Sequence, residues 1–161
     1  MKKNITSAIV ALFAILFMTG CGIDLDVVRG DLTFFANDSA GNSGGIISII
    51  IEDIDTQDTV EEGELTQSST GQGIDCDTPS SESVFSTSLP EGQYIIRAFE
   101  RDFDGVDGGV FTPLDGQTFE VRGETCYRIE LGVDEGFDNA RLAGGVRPMM
   151  IKNVTIMSTS K

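Results

Sequence analysis

Short runs in which apolar and polar residues alternate are the feature that most constrains the fold of this chain. They recur from residue 31 to residue 131, and Gly, Pro, Asn, Asp and Ser residues lie between them. Successive side chains of a strand point to opposite faces, so this alternation is typical of strands with one buried face. No stretch between residues 22 and 132 keeps a helical period. We therefore expect an all-β domain.

The clearest predicted element is a β-hairpin in residues 84–99. Residues 84–89 (VFSTSL) and 93–99 (QYIIRAF) alternate, and Pro90, Glu91 and Gly92 separate them. Pro90 sets φ for a turn, and Gly92 can supply a positive φ. These features predict that the two strands pair with each other.

The other strands are predicted from shorter runs. Five of residues 46–51 (IISIII) are β-branched isoleucines, which suit a buried strand better than a helix. Residues 53–82 are polar and predict a long loop or edge region with a weak strand near residues 60–65. The remaining strand runs are residues 31–36, 118–122 and 126–131. Together they predict an antiparallel β-sandwich of about seven short strands over residues 31–132.

The first twenty residues predict a secretory signal. Lys2 and Lys3 precede an apolar run at residues 9–18, which is too short for a permanent membrane-spanning helix. Residues 18–21 (MTGC) follow, and they resemble the lipobox of bacterial lipoproteins. The resemblance implies cleavage of residues 1–20, attachment of diacylglycerol to the Cys21 thiol and acylation of the new amine, with palmitate-type chains. The alternatives are an ordinary cleaved signal and an uncleaved anchor.

The lipoprotein resemblance also implies a location. Two or three acyl chains hold a protein on a membrane effectively permanently. Aspartate directly after the cysteine commonly retains such proteins in the inner membrane, and Gly22 in that position favours the outer membrane. Residues 21–30 then form a lipidated tether, and the face on which the domain lies stays open.

The two remaining cysteines are expected to form a disulfide. With Cys21 lipidated, Cys76 and Cys126 are an even pair in an exported chain. Cys126 is the first residue of a predicted strand, and the alternation places it on the face opposite to the apolar residues of that strand. We therefore expect the disulfide at the rim of the core, where it holds the polar loop. Two free thiols are the alternative.

Residues 89–94 (LPEGQY) between two strands give the domain a second resemblance. They resemble small prealbumin-like and carboxypeptidase-regulatory-like sandwich modules. With one cysteine before this motif and one opening the last strand, the chain is still more similar to uncharacterised one-disulfide modules of exported bacterial proteins. The resemblance covers residues 31–131, and it implies no particular activity.

The charge of the chain excludes some partners. The formal net charge is −15, and all 26 acidic residues lie between Asp24 and Asp138. Loss of Lys2 and Lys3 with the signal would leave −17. A domain with this much negative charge repels nucleic acid and anionic lipid. From Arg141 onward the chain has four basic residues and no acidic one, so this tail could lie against the acidic body or a partner.

A calcium site is one candidate, in residues 102–109 (DFDGVDGG). Asp102, Asp104 and Asp107 could converge in this glycine-rich turn, but the spacing departs from that of an EF-hand, and Pro113 takes the place of its closing glutamate. The alternative is an acidic loop tip without a ligand. No other cofactor is expected.

Catalysis and glycan binding have less support. The chain has no histidine, which excludes Ser-His-Asp catalysis, Cys-His catalysis and histidine-based zinc sites, so we expect no enzyme. It has no tryptophan for a glycan platform, and Tyr94 and Tyr127 are predicted to face the core.

The function predicted from sequence is a membrane-anchored, non-catalytic binding or structural module of the cell envelope. Its partners would be the membrane, through the lipid on Cys21, and an envelope protein. The alternative is a calcium- or glycan-binding accessory domain of a surface complex. Residues 133–161 could add an edge strand to the domain, or they could dock a partner, because an unpaired apolar strand invites association.

Overall fold

In the residues that the structure describes, the chain forms eight β-strands. A computed structural model describes residues 27–37, 45–101, 116–133 and 146–157. The strands are β1 (Arg29–Ala36), β2 (Ile46–Asp53), β3 (Thr59–Leu65), β4 (Phe85–Pro90), β5 (Gly92–Arg101), β6 (Gln117–Val121), β7 (Cys126–Val133) and β8 (Val146–Met157). The all-β prediction is confirmed, since the described residues contain strands and turns and no helix. None of them, accordingly, forms a helix long and apolar enough to cross a membrane.

One face of the sheet carries the principal core. Alternate residues of each long strand point inward, as the period of two requires. The core residues are Leu32, Phe34, Ala36, Ile47, Ile49, Ile51, Leu65, Leu89, Tyr94, Ile96, Ala98, Val121, Tyr127, Ile129, Leu131 and Met149. Tyr94 and Tyr127 are among them, so their predicted place in the core is confirmed.

The strands form one mixed sheet in the order β3-β2-β5-β8-β7-β1-β4, and β6 pairs with β5 beside this path. β1 pairs in parallel with β7, with Leu32 opposite Tyr127, and the other pairs are antiparallel. The predicted layout was two antiparallel layers. The difference arises because β8 pairs with both β5 and β7 and so joins what would be two layers into one curled sheet.

The two ends of the sheet approach each other and nearly close it. Gly63 of β3 lies under the ring of Phe85 in β4, where a Cβ on Gly63 would come within 2.4 Å of ring carbons. The Phe85 ring stacks on Phe34 with centroids 5.8 Å apart. The N–H groups of Thr66 and Gln67 donate to the carbonyl of Glu82 at 2.8 and 2.9 Å. Side-chain packing and two loop hydrogen bonds therefore replace a strand ladder here.

The predicted hairpin of residues 84–99 is wrong. β4 pairs with β1, whereas β5 pairs with β2, β6 and β8. Only Glu91 lies between β4 and β5, whereas the shortest common hairpin loop between two antiparallel strands has two residues. The chain turns a corner instead, where the Tyr94 hydroxyl donates to the Pro90 carbonyl at 2.9 Å.

Two strands share the edge of β5 that faces away from β2. β6 pairs with residues 92–96, and β8 pairs with residues 98–101. β8 leaves β5 after Met149 and continues along β7 to Met157. At the point where β8 leaves β5 and β6 takes its place, the Gln117 side-chain oxygen accepts a hydrogen bond from the Ile151 N–H at 2.6 Å. An amide side chain thus bridges β6 and β8, which do not pair with each other.

The contact between Gly63 and Phe85 gives a test of sheet closure. Gly63→Ala should lower the free energy of unfolding by about 1–3 kcal/mol, because the new methyl group overpacks against the ring. Gly92→Ala is the control, since its Cβ would meet only ordinary contacts at 3.5 Å or more. Urea unfolding followed by tyrosine fluorescence measures both. Equal stability of the two variants would contradict the packing role of Gly63.

Candidate functional site

The polar segment of residues 66–83, here called the cover segment, packs on the outer face of the sheet. Phe35 points outward from β1 and is 2% exposed, because Ile74 and Val84 cover it in a second apolar cluster. Thr33, also on the outer face, is fully buried. β1 is therefore buried on both faces, although its sequence predicts only one buried face.

Hydrogen bonds attach the cover segment to β1 and β4. The Ser69 N–H donates to the Ala36 carbonyl at 2.7 Å, which continues the edge of β1 into the segment. The Ser86 hydroxyl donates to the Thr78 carbonyl at 2.7 Å, and the Thr33 hydroxyl donates to the Asp75 carbonyl at 3.3 Å. Small hydroxyl side chains on the strands thus satisfy backbone groups of a segment that has no strand ladder.

A disulfide holds the middle of the cover segment. Cys76 is bonded to Cys126, the first residue of β7, with a Cα–Cα distance of 5.8 Å. The predicted pairing is confirmed. The bond lies outside the principal core, where it ties the cover segment to the sheet.

Arg128 lies beside the same segment. Its guanidinium carbon is 4.9 Å from the centroid of the Phe35 ring, a cation–π contact. Its Nε atom is buried and has no hydrogen-bond partner among the described residues. Gly71 has φ +71°, and a Cβ there would lie 2.4 Å from Phe35 and 2.5 Å from the guanidinium. The absence of a side chain at Gly71 therefore lets the backbone close over both groups.

A shallow hollow of about 480 Å³ lies on the outer face of β2, β3 and β5, away from the cover segment. Ser48 lies opposite Glu64 of β3 and Phe99 of β5, so the three side chains share this face. Ser48 is 7% exposed and Phe99 is 8% exposed. The lining residues are Ser48, Ile49, Ile50, Glu62, Gly63, Glu64, Phe99 and Arg101.

Charged groups surround this hollow, and its floor has an unsatisfied hydroxyl. Arg101 forms an ion pair with Glu64 across the opening, and Arg97 contacts Glu52 at 3.0 Å on the same face. The Ser48 Oγ is buried without a hydrogen-bond partner among the described residues. The hollow thus offers carboxylates, a guanidinium and a hydroxyl for binding, and no described base accepts the proton of that hydroxyl.

Three groups among the described residues have shifted pKa values, and all have structural causes. The pKa of Asp53 is lowered, because its carboxylate accepts hydrogen bonds from the N–H groups of Thr56 and Asp55 in the β2–β3 turn. Burial raises the pKa of Tyr94 at the β4–β5 corner, with a smaller contribution from Asp53. The neighbouring Glu120 raises the pKa of Arg122. None of the three groups lines the hollow.

The other predicted site residues are not placed by the structure. Cys21 and the three aspartates of the calcium prediction, Asp102, Asp104 and Asp107, lie outside the described residues. Within the described ranges, no three His, Cys, Asp or Glu side chains are grouped closely enough to hold a metal ion. The hollow is not predicted from the sequence. Six of its eight lining residues occupy the outward positions of three strands, and strand pairing had to be known before they could be brought together.

Comparison with protein-family models, curated proteins and solved structures found no match to this chain.

The disulfide gives a prediction for the cover segment. Replacing both Cys76 and Cys126 with alanine should lower the free energy of unfolding by about 4 kcal/mol in the chain-entropy model, within a usual range of about 2–5 kcal/mol. Loosening the segment should also uncover Phe35 and increase binding of a hydrophobic dye. Urea unfolding and dye fluorescence measure these effects, with Cys21→Ala as the control. A double variant as stable as the wild type would contradict the stabilising role of the disulfide.

The buried hydroxyl of Ser48 gives a second prediction. Ser48→Ala should leave the free energy of unfolding unchanged or raise it by up to about 1 kcal/mol, because a buried hydroxyl without a partner has a desolvation cost. Ser86→Ala is the matched control. It removes a hydroxyl that donates a hydrogen bond, and it should lower stability by about 1 kcal/mol. Thermal unfolding measures both, and equal losses would show that Ser48 is hydrogen-bonded in solution.

Proposed function

We propose that this chain is a membrane-anchored extracytoplasmic lipoprotein, and that its β domain is a non-catalytic binding or structural module of the cell envelope. The observation that carries the proposal is the disulfide between Cys76 and Cys126. It uses both cysteines of the domain and leaves Cys21 as the third cysteine of the chain. Disulfides persist in oxidising compartments, so the bond supports export.

The start of the domain supports a position close to the membrane. β1 begins at Arg29, so seven residues separate it from Cys21. Such a linker spans at most about 25 Å when fully extended. The turn from β6 to β7 lies at the end of the sheet where the linker enters, because Val28 packs against Gly123 of that turn. A lipid on Cys21 would therefore hold this end of the domain near the bilayer.

The chemistry of the described surface supports binding over catalysis. The hollow on β2, β3 and β5 combines an ion pair, two further polar side chains and an apolar floor. The Ser48 hydroxyl in that floor has no described base beside it. With Gly22 after the lipidated cysteine, the outer membrane is the proposed location, and an envelope protein is the proposed partner. The alternative role in calcium or glycan binding has no specific support from the described residues.

Lipidation provides the test. Cells expressing the wild-type chain and fed an alkyne analogue of palmitate should yield a labelled protein that fractionates with the outer membrane. Cys21→Ala should abolish the label, because the thiol that receives the lipid is gone. The double variant with alanine at Cys76 and Cys126 is the control, and it should keep the label. An unlabelled wild type, or a labelled Cys21→Ala protein, would refute the anchor.

A further inference from the structure

A buried hydroxyl opens into the hollow on the outer face of β2, β3 and β5. Ser48 is 7% exposed, and its Oγ atom has no hydrogen-bond partner among the described residues. Its neighbours across the sheet are Glu64 of β3 and Phe99 of β5, and all three residues line the hollow. Buried hydroxyl groups in folded proteins are nearly always hydrogen-bonded, so we expect the partner of Ser48 to come from outside the described chain.

The ion pairs on this face leave one carboxylate without a counterion. Arg101 pairs with Glu64, and Arg97 pairs with Glu52 at 3.0 Å. Glu62 is exposed and forms no ion pair among the described residues. The lining contains two carboxylates and one guanidinium, so its formal charge is 1 − 2 = −1. The hollow therefore attracts a cation more than an anion, and the chain's net charge of −15 acts in the same direction.

Glu62 and Ser48 lie close enough to bind the same group. Glu62 lies opposite Ile50 of β2, and Ile50 shares a face with Ser48, two residues away. Diagonal neighbours of this kind in an antiparallel pair have Cα atoms about 7–8 Å apart. A ligand ammonium group between the two side chains can therefore donate hydrogen bonds to the carboxylate and to the hydroxyl oxygen.

The surface beside these two oxygens is apolar. Ile50 is partly exposed and Phe99 is 8% exposed, and both line the hollow. An apolar group attached to the ammonium would cover Ile50, and removing this area from water is favourable. The volume of about 480 Å³ lies within the range of about 300–1,000 Å³ that is usual for small-ligand sites. Charge, hydrogen bonding and size thus all fit a compact apolar amine.

The hollow lies away from the end of the domain where the linker enters. β2 runs from Ser48 to Asp53, which pairs with Tyr94 beside the β4–β5 corner. The Glu91 N–H in that corner donates to the Val28 carbonyl at 3.0 Å. Five residues separate Ser48 from Asp53 along the strand, which is about 17 Å. With the linker end held at a membrane, the hollow therefore remains accessible to solutes.

We propose that the hollow on β2, β3 and β5 is a binding site for a small primary amine with an apolar body. The Glu62 carboxylate and the Ser48 hydroxyl accept hydrogen bonds from the ammonium group, and the apolar body lies on Ile50. This inference names a ligand class for the binding role proposed above, and it rests on that role. It is independent of lipidation, which the labelling experiment tests separately.

Titration of the full-length protein in nonionic detergent micelles with phenethylamine tests the proposal. The backbone amide NMR signals of Ile50 and Glu62 should shift saturably, with a Kd on the order of 1 mM, because the ligand is small and the hollow is shallow. Phenethyl alcohol has the same ring without the charge, and it should bind at least about tenfold more weakly. Ethylamine keeps the charge without the ring, and it should also bind at least about tenfold more weakly.

Variants locate the binding to the hollow. Glu62→Gln should weaken phenethylamine binding at least about fivefold, because it removes the charge that pairs with the ammonium group. Glu61→Gln is the matched control and should leave the affinity unchanged. It makes the same change in charge on the adjacent residue of β3, which lies opposite the core residue Ile51 and so belongs to the other face.

Ser48→Ala separates ligand binding from a structural role of the hydroxyl. It should weaken phenethylamine binding at least about fivefold, because an acceptor of the ammonium group is lost. The unfolding temperature should stay unchanged or rise, since the hydroxyl has no partner in the free protein. If Ser48→Ala is instead less stable, Glu62→Gln decides, because Glu62 is exposed and its replacement leaves the packing intact.

Several outcomes would overturn the proposal. Phenethylamine that causes no saturable shift would show that water satisfies Ser48, and equal binding of phenethyl alcohol would exclude an ammonium site. Equal losses in Glu61→Gln and Glu62→Gln would show that only the overall charge attracts the amine. A blocked Gly-Lys-Gly peptide that binds more tightly than phenethylamine would assign the hollow to a protein partner. None of these results would affect the lipid label on Cys21, so the lipoprotein proposal is tested separately.

Discussion

β1 is buried on both faces, and the rest of the structure depends on that burial. Its inner residues Leu32 and Phe34 belong to the principal core, and its outer residues Thr33 and Phe35 lie under the cover segment. A strand between two layers suits parallel pairing, and β1 pairs in parallel with β7. The disulfide from Cys76 to the first residue of β7 then holds the outer layer against the same pair of strands.

The cover segment shows how polar sequence can act as a structural layer. It contributes Ile74 to the second apolar cluster, and its other attachments include the backbone hydrogen bond from Ser69 to Ala36, hydrogen bonds from strand hydroxyls and one covalent bond. A domain of this size has a limited core, so the crosslink and the second cluster add stability that the principal core alone would not supply. The surface over β1 and β7 is therefore occupied, and the hollow lies on the outer face of β2, β3 and β5.

The two places where the sheet fails to close differ in chemistry. Between β3 and β4, Gly63 and the Phe85 ring pack directly, so the gap is filled by the chain's own side chains. Between β6 and β8, the Gln117 amide bridges the strands within the described part of the chain, and Ile156 is 65% exposed.

The sequence by itself determined that the domain is all-β, which residues face its core, and that Cys76 pairs with Cys126. These properties follow from alternation along single strands and from the number of cysteines, both of which are local or compositional. Only the tertiary structure decided which strands pair. Residues 84–99 have hairpin alternation, yet the single residue Glu91 between β4 and β5 makes a corner, and the partners of both strands lie far along the chain. The hollow around Ser48 depends on those distant pairings, because a period of two shows that side chains share a face and does not show which strand lies beside them.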